Sequence, residues 1–352
     1  MRRTRALTVI RMAIAGGAAC ALAYAAPPAR PGCLSGAAPA DFAQALAPTT
    51  FAFPRDHGPH PQFRQEWWYV TGNLDAASGE RLGFELTFFR FALQPEAAVA
   101  PAAPRSSAWR TRQIYLAHFA ITDVAAGRFR FAQKLSREAL GLAGAQAAPL
   151  RVWIDDWSLE AASAGAAAQE RWSLRAAQPG YELELTLQGL TAPVLNGDAG
   201  LSRKSGEPGA ATYYYSIPRL AVHGRLIRDG HPLEVHGLAW VDREWGSGGL
   251  GARQVGWDWF ALQLNDGTAL MFYALRDQDN RRDQHSAGTW VEASGRSRPL
   301  SSEEVTIEVA DHWSNAQGTR YPSSWRIRVP ALALQVSVRP VLADQELRTM
   351  AD

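Results

Sequence analysis

Sulfur is scarce in this chain of 352 residues, which has two cysteines and four methionines. So few thiols exclude a cysteine-built metal centre and a disulfide-stapled scaffold, and the fold must rest on its apolar core. Net charge is also low, with Lys+Arg 36 against Asp+Glu 34 and a balance of +2. That excludes the dense basic surface of a dedicated nucleic-acid binder and the acidic, aromatic-poor composition of a disordered chain. No Gly-x-Ser-x-Gly elbow occurs, so a serine hydrolase of the usual kind has no support. The glycine-rich run 246–251 lacks the Lys and following Ser/Thr of a phosphate loop and reads as a flexible loop or lid. Helical signals are few; Phe42–Leu46 and Leu135–Leu140 are the best, and both are short.

Aromatic residues and turn formers are what the chain does have: 13 Trp, 13 Phe, 9 Tyr, 30 Gly and 21 Pro. Short strands joined by many turns follow from that composition. Strict alternation supports it. Tyr181, Leu183, Leu185 and Leu187 fall on one face, and the same period runs through Leu332–Val338 and Val305–Val309. Asp229-Gly230 and Asn265-Asp266-Gly267 sit between apolar runs and predict hairpins. Three landmarks occur twice in the same order. Trp67–Asp75 is similar to Trp257–Asn265, Asp155–Ser158 to Asp311–Ser314, and Trp172–Arg175 to Trp325–Arg328. The expected fold is therefore all-β: two antiparallel β-barrels in tandem, residues 49–225 and 226–352, each able to hold an apolar molecule inside.

Two segments carry a family resemblance. One is Phe53-Pro-Arg-Asp-His-Gly-Pro-His-Pro-Gln-Phe-Arg-Gln-Glu-Trp-Trp-Tyr-Val-Thr-Gly72, continuing to Gly83–Arg90; the other is Gly237–Gly246, continuing to Gly256–Phe260. Both resemble the AttH-like / carotenoid 1,2-hydratase family of two-domain lipocalin-like proteins, also labelled secreted hydrolases. The likeness runs from about Phe51 to the C-terminus. It implies two lipocalin-like barrels, a hydrophobic small-molecule partner of lipid or isoprenoid type, and an activity of hydro-lyase or hydrolase kind.

Hydrating an unactivated alkene needs a strong proton donor, an aromatic wall for the carbocation and a positioned water. His236, Trp240, Asp242, Glu244 and Trp245 lie within ten positions, and Asp258 stands between Trp257 and Trp259. In an extended strand Trp240, Asp242 and Glu244 share a face. A carboxyl beside indoles in an apolar cavity is disfavoured in its charged form, so it can serve as a general acid near neutral pH. Asp242, Glu244 and Asp258 are thus the candidate acids and His236 the assisting base. Trp67, Trp68, Trp240, Trp245, Trp257, Trp259 and Tyr273 are the candidate ligand wall. The competing structural reading pairs these carboxylates with Arg243, Arg253 or Arg276 as cement between two barrels. His57 and His60 lie in a Pro/Gly-rich segment without an obvious third ligand. They read as a loop closing the first barrel, with Arg55, Asp56 and Glu66 paired in it and Arg64 or Arg90 as the duller partner for Glu66. No metal and no cofactor are expected. The chain reads as a monomer, either an enzyme acting on its ligand or a carrier that serves a membrane transport system.

The N-terminus has the three regions of an export signal: Arg2, Arg3, Arg5 and Arg11, then apolar Met12–Ala26, then Ala23-Tyr24-Ala25 ahead of two prolines. Residues 1–25 read as a cleaved signal peptide and 26–48 as a Pro/Ala-rich linker carrying a lone Cys33. This places the protein in the periplasm or outside the cell. Cys20 follows Gly17-Ala18-Ala19, a poor lipobox, so a lipid anchor there is the lesser alternative. N-terminal sequencing of the exported protein should read from about Ala26; a chain still beginning at Met1 would refute the signal, and a diacylated Cys20 would replace it with an anchor.

Overall fold

The computed structural model describes residues 42–95, 109, 111–161 and 171–347, so the expected signal peptide, Cys33 and most of the expected linker lie outside the described residues. The strands are β1 (Gln65–Ala76), β2 (Arg81–Ala92), β3 (Gln113–Asp123), β4 (Arg128–Arg137), β5 (Ala143–Ala147), β6 (Leu150–Ile154), β7 (Trp157–Ala161), β8 (Arg171–Gln178), β9 (Tyr181–Gly189), β10 (Val194–Leu195), β11 (Leu201–Arg203), β12 (Ala211–Arg228) and β13 (His231–Gly246). These thirteen form one antiparallel sheet in the order β4-β3-β2-β1-β13-β12-β9-β8-β7-β6-β5, with β10 and β11 on the far end of β12. The sheet curls until its two ends meet: Lys134 of β4 pairs with Asp155 at 3.6 Å and lies over the Trp157 ring. The result is a nearly closed barrel whose interior is filled by Trp68, Leu86, Phe88, Phe119, Trp172 and Tyr215.

The remaining strands make two smaller sheets. β14 (Gln254–Gln263), β15 (Ala269–Asp277), β16 (Ala287–Val291) and β17 (Ser297–Leu300) form a meander; β18 (Thr306–Ser314), β19 (Arg320–Val329) and β20 (Leu334–Val338) form the other. Phe260, Leu262, Leu270 and Phe272 of the first meet Trp325, Ile327, Val336 and Val338 of the second in a shared core. The all-β expectation holds, and among the described residues helix is confined to short 3₁₀ turns. Phe42–Leu46 is not helical: Phe42 and Ala45 are buried in irregular chain, so ordered packing begins inside the expected linker. Leu135 belongs to β4, and Ala139–Gly141 is one 3₁₀ turn.

The expected boundary at 225/226 falls within β12. The Asp229-Gly230 turn, with φ of 50° and 81°, is a tight hairpin that returns β13 along the full length of β12 and delivers it to β1. The first sheet therefore continues to Gly246 and the second group starts at Gln254. Two landmarks of the internal repeat occupy matching places. Trp67 and Trp257 each lie near the start of a strand that opens a four-strand meander, and Trp172 and Trp325 pair near the end of the following strand, at Leu187 and Val338. The third does not match, because Trp157 opens β7 whereas Trp313 lies near the end of β18.

One buried cluster pins the barrel to the loop that crosses its mouth. Glu66 of β1 is wholly buried and pairs with Arg90 of β2 and Arg243 of β13. Arg90 also donates to the His60 and Phe63 carbonyls at 2.9 and 2.8 Å, and Arg243 to the Gly58 carbonyl at 2.5 Å. The His60 ring stacks on Trp245 at 3.8 Å, and His57 meets the Tyr215 hydroxyl at 2.6 Å. Arg55 binds Asp56 rather than Glu66. Burial pushes the Glu66 carboxyl up, but the two guanidiniums outweigh it and hold the group well below the usual carboxylate range. Glu66→Gln leaves two buried arginines without their counter-charge, and chemical denaturation at pH 7 should show a loss of about 3–5 kcal/mol. Because the folded-state carboxyl titrates low, its contribution is present above about pH 4 and declines below it, so the gap to wild type should shrink in acid. An unchanged midpoint at pH 7 would show the cluster to be incidental.

Candidate active site

The even-numbered residues of β13 point away from the barrel core, and the outer face they share with β1, β2 and β12 carries the site. Register fixes two rows across the four strands. One runs Ser216, Asp242, Tyr69, Thr87; the next runs Tyr214, Glu244, Trp67, Phe89. Facing this wall, β14 and β15 present Trp257, Trp259, Tyr273 and Leu275. A cavity of about 210 Å³ lies between them, with Lys204 at one side and Gly248, Gly249 and Leu250 of the glycine-rich loop at its mouth. It sits between the barrel and the second group of sheets, not inside a barrel.

Asp242 and Glu244 have opposite environments although only one residue separates them. Oδ1 of Asp242 accepts from Ser216 Oγ at 2.5 Å and from the Trp240 indole N–H at 2.9 Å. Ser216 is held in turn by Asn196 at 2.9 Å, and Asn196 by Thr289 at 2.8 Å. No cation pairs with Asp242 among the described residues, and burial pushes its carboxyl up to about 7 against those hydrogen bonds. Glu244 instead pairs with Lys204 Nζ at 2.9 Å and accepts from Thr212 Oγ1. Burial pushes the Lys204 ammonium down, but Glu244, Tyr273 and Asp242 outweigh it and leave it above the ordinary lysine value. Lys204 also lies 4.2 Å from the Tyr273 ring centre, and Ser202 bridges it to the Tyr273 hydroxyl. The pair is thus one carboxyl able to carry a proton near neutrality and one carboxylate with a fixed counter-ion.

Of the residues expected from sequence, Asp242, Glu244, Trp67, Trp257, Trp259 and Tyr273 line the cavity. Trp240 lies behind Asp242 as its hydrogen-bond donor. Four expectations are corrected. His236 is exposed, six residues up β13 and so roughly 20 Å from Asp242 at the rise of a strand. Trp68 and Trp245 alternate onto the inner face, where both lie under the Arg243 guanidinium. Asp258 faces away from Trp257 and Trp259 and pairs with Arg276 at 3.7 Å; burial raises its carboxyl, and Arg276 opposes that. Asp258 does pair with an arginine, but Arg276 lies on the neighbouring strand of the same sheet and so cements no two barrels, and Arg243 turns inward to Glu66. Sequence reasoning missed Lys204, Thr212, Tyr214 and Ser216. Lys204 had a signal: it is one of two lysines among 36 cationic residues.

The family model described as AttH-like matches residues 44–352. The chain belongs to the AttH-like family. A crystal structure of a protein assigned to AttH from Nitrosomonas europaea is 32% identical, covers 88% of this chain and 90% of its own, and superposes with a TM-score of 0.76. Kievitone hydratase from Nectria haematococca shares the fold at 15% identity and a TM-score of 0.57, with 88% of each chain covered. The dehydratase asqC of Emericella nidulans is 23% identical over 175 residues, 47% of this chain. The chain spans about half the length of that curated relative, 48%.

Asp242 also makes a stability prediction. Its carboxyl titrates near 7 when folded and near 4 when unfolded, so its contribution is intact below about pH 4 and is lost as pH rises through 7. Asp242→Asn should flatten that decline and gain on the order of 2 kcal/mol over wild type at pH 8. Denaturation curves at pH 5 and 8 check it; a variant less stable than wild type at pH 8 would mean that Asp242 has a cationic partner.

Proposed function

We propose that the protein is an enzyme of hydro-lyase type that adds water to, or removes it from, an apolar ligand of isoprenoid or other lipid class. The observation that carries this reading is the contrast between Asp242 and Glu244 on one face of β13. A buried carboxyl with no cation among the described residues, beside a carboxyl paired with an ammonium, is the pattern of an acid and a base. Neighbours two apart on a strand face stand about 7 Å from each other, room for a substrate carbon and a water between the carboxyls. In hydration, the protonated Asp242 carboxyl transfers its proton to one alkene carbon. The cation at the other carbon is flanked by the π-faces of Trp67, Tyr69, Trp257 and Trp259. A water held by Glu244 forms the C–O bond and yields its proton to that carboxylate. Release of this proton to solvent and reprotonation of Asp242 complete the cycle. Dehydration runs the same steps in reverse: a protonated Glu244 gives its proton to the leaving hydroxyl, and the Asp242 carboxylate removes the proton from the neighbouring carbon.

The hydratase that shares the fold and the dehydratase that matches half the chain support the same class of chemistry. A protein that only carried its ligand would use the aromatic wall, but would have no use for two carboxyls, one without a cation and one paired with Lys204. The basic, apolar and small-residue regions of residues 2–25 support an exported location for this activity.

Organic extraction of the purified protein, with mass spectrometry of what is released, supplies the ligand. Turnover of that ligand in H₂¹⁸O should place ¹⁸O in the alcohol product. Asp242→Asn and Glu244→Gln should each lower kcat by about 10²–10⁴-fold while the ligand still binds. Since the acid must be protonated, kcat should fall as pH rises above about 7. Bound ligand that neither gains ¹⁸O nor loses water in the wild type would make the protein a carrier.

A further inference from the structure

A third carboxyl lines the cavity from β2, and neither the proposed acid nor the proposed base accounts for it. Glu85 lines the cavity and is 2% exposed. Thr87 Oγ1 donates to its Oε1. Its Oε2 is fully buried and has no partner among the described residues. No cation neutralises it, and burial pushes the carboxyl up to about 7, against the Thr87 hydrogen bond. A neutral carboxyl with one oxygen already accepting carries its proton on the other, which makes it a hydrogen-bond donor. Leaving such a donor buried and unpaired costs free energy, so an acceptor placed against it binds more tightly.

Register places this donor relative to Asp242. Glu85 lies opposite Thr71 and, through it, Trp240, one side-chain row beyond the Asp242–Tyr69–Thr87 row. Two strand spacings and one row put the two Cα positions roughly 12 Å apart. Between them the wall is aromatic, with Tyr69 in edge contact with Trp259 at 5.3 Å.

Building on the role given above to Asp242, we propose that Glu85 is the polar anchor of the cavity: its carboxyl O–H donates to an acceptor oxygen of the ligand. The preferred ligand is then an amphiphile with an unsaturated apolar end at Asp242 and a carbonyl or ether oxygen at the opposite end.

Two probes of one carbon skeleton test it: geranial, which has an acceptor oxygen and no donor, and 2,6-dimethylocta-2,6-diene, which has neither. Binding is read by quenching of tryptophan fluorescence, since Trp67, Trp257 and Trp259 line the cavity. The wild-type chain should bind geranial about three- to tenfold more tightly than the hydrocarbon. Glu85→Gln keeps an N–H donor and should retain most of that preference. Glu85→Met should remove it while leaving the affinity for the hydrocarbon within about twofold. Equal affinities in the wild type, including no binding of either, overturn the proposal, and so does a preference that survives in Glu85→Met. Should Glu85→Met fail to fold, the wild-type and Glu85→Gln comparisons decide it alone. These readouts involve no turnover, so a failure of the Asp242–Glu244 chemistry leaves them intact, and their failure leaves that chemistry standing.

Discussion

Everything in the first barrel is organised around one buried negative charge. Glu66 joins β1 to β2 through Arg90 and to β13 through Arg243, and the same two arginines gather the carbonyls of the 58–63 loop. The β1–β2 hairpin and β13, far from it in sequence, are thereby fixed in register near one end, where a slip of one residue would turn every side chain to the other face. The cost of desolvating three charges is offset only because each lone pair and each N–H finds a partner, and here nearly all do. The arrangement also explains why residues 52–63, rich in proline and glycine, stay folded over the barrel mouth.

That register is what creates the site on the opposite face. Arg243 turns inward to Glu66, so its neighbours Asp242 and Glu244 must turn outward, side by side, towards the second group of sheets. The structural charge and the candidate acid and base occupy consecutive positions of one strand and belong to different environments. Inside, the carboxylate is held ionised by two guanidiniums. Outside, Asp242 is surrounded by hydroxyls and an indole N–H, while the single ammonium at the site, Lys204, is spent on Glu244. One strand thus sets two opposite proton affinities by alternation alone.

Much of this was legible in the sequence, and the failures have identifiable causes. Alternation located β9 and β20, and the Asp-Gly and Asn-Asp-Gly turns located two hairpins, because those signals are local. Period two also placed Trp240, Asp242 and Glu244 on one face. The same rule separates Trp67 from Trp68 and Glu244 from Trp245, and clustering in sequence was a poor substitute for it. His236 keeps the right parity but lies too far along the strand. Tyr214 and Ser216 enter from β12 through its pairing with β13, and Lys204 follows β11, which pairs with β12; such tertiary placement has no local signal. The boundary between the two halves was misplaced because duplicated landmarks mark the starts of meanders. The long β12–β13 hairpin, which closes the first sheet, has no equivalent in the second.

The position of the cavity at a seam has a consequence for how ligand range can change. Its acid-bearing wall is part of the barrel, whose own core lies on the other side of the sheet. Its second wall, with Trp257, Trp259 and Tyr273, is carried by a sheet whose opposite face is packed into a separate core. At Trp257 and Leu275 the side chain can be exchanged without disturbing either core or the hydrogen bonds that hold Asp242, whereas Trp259 donates to the Tyr214 hydroxyl and Tyr273 meets Ser202. One half of the molecule therefore keeps the candidate acid and base, while part of the other acts as an interchangeable mould for the shape of whatever is bound.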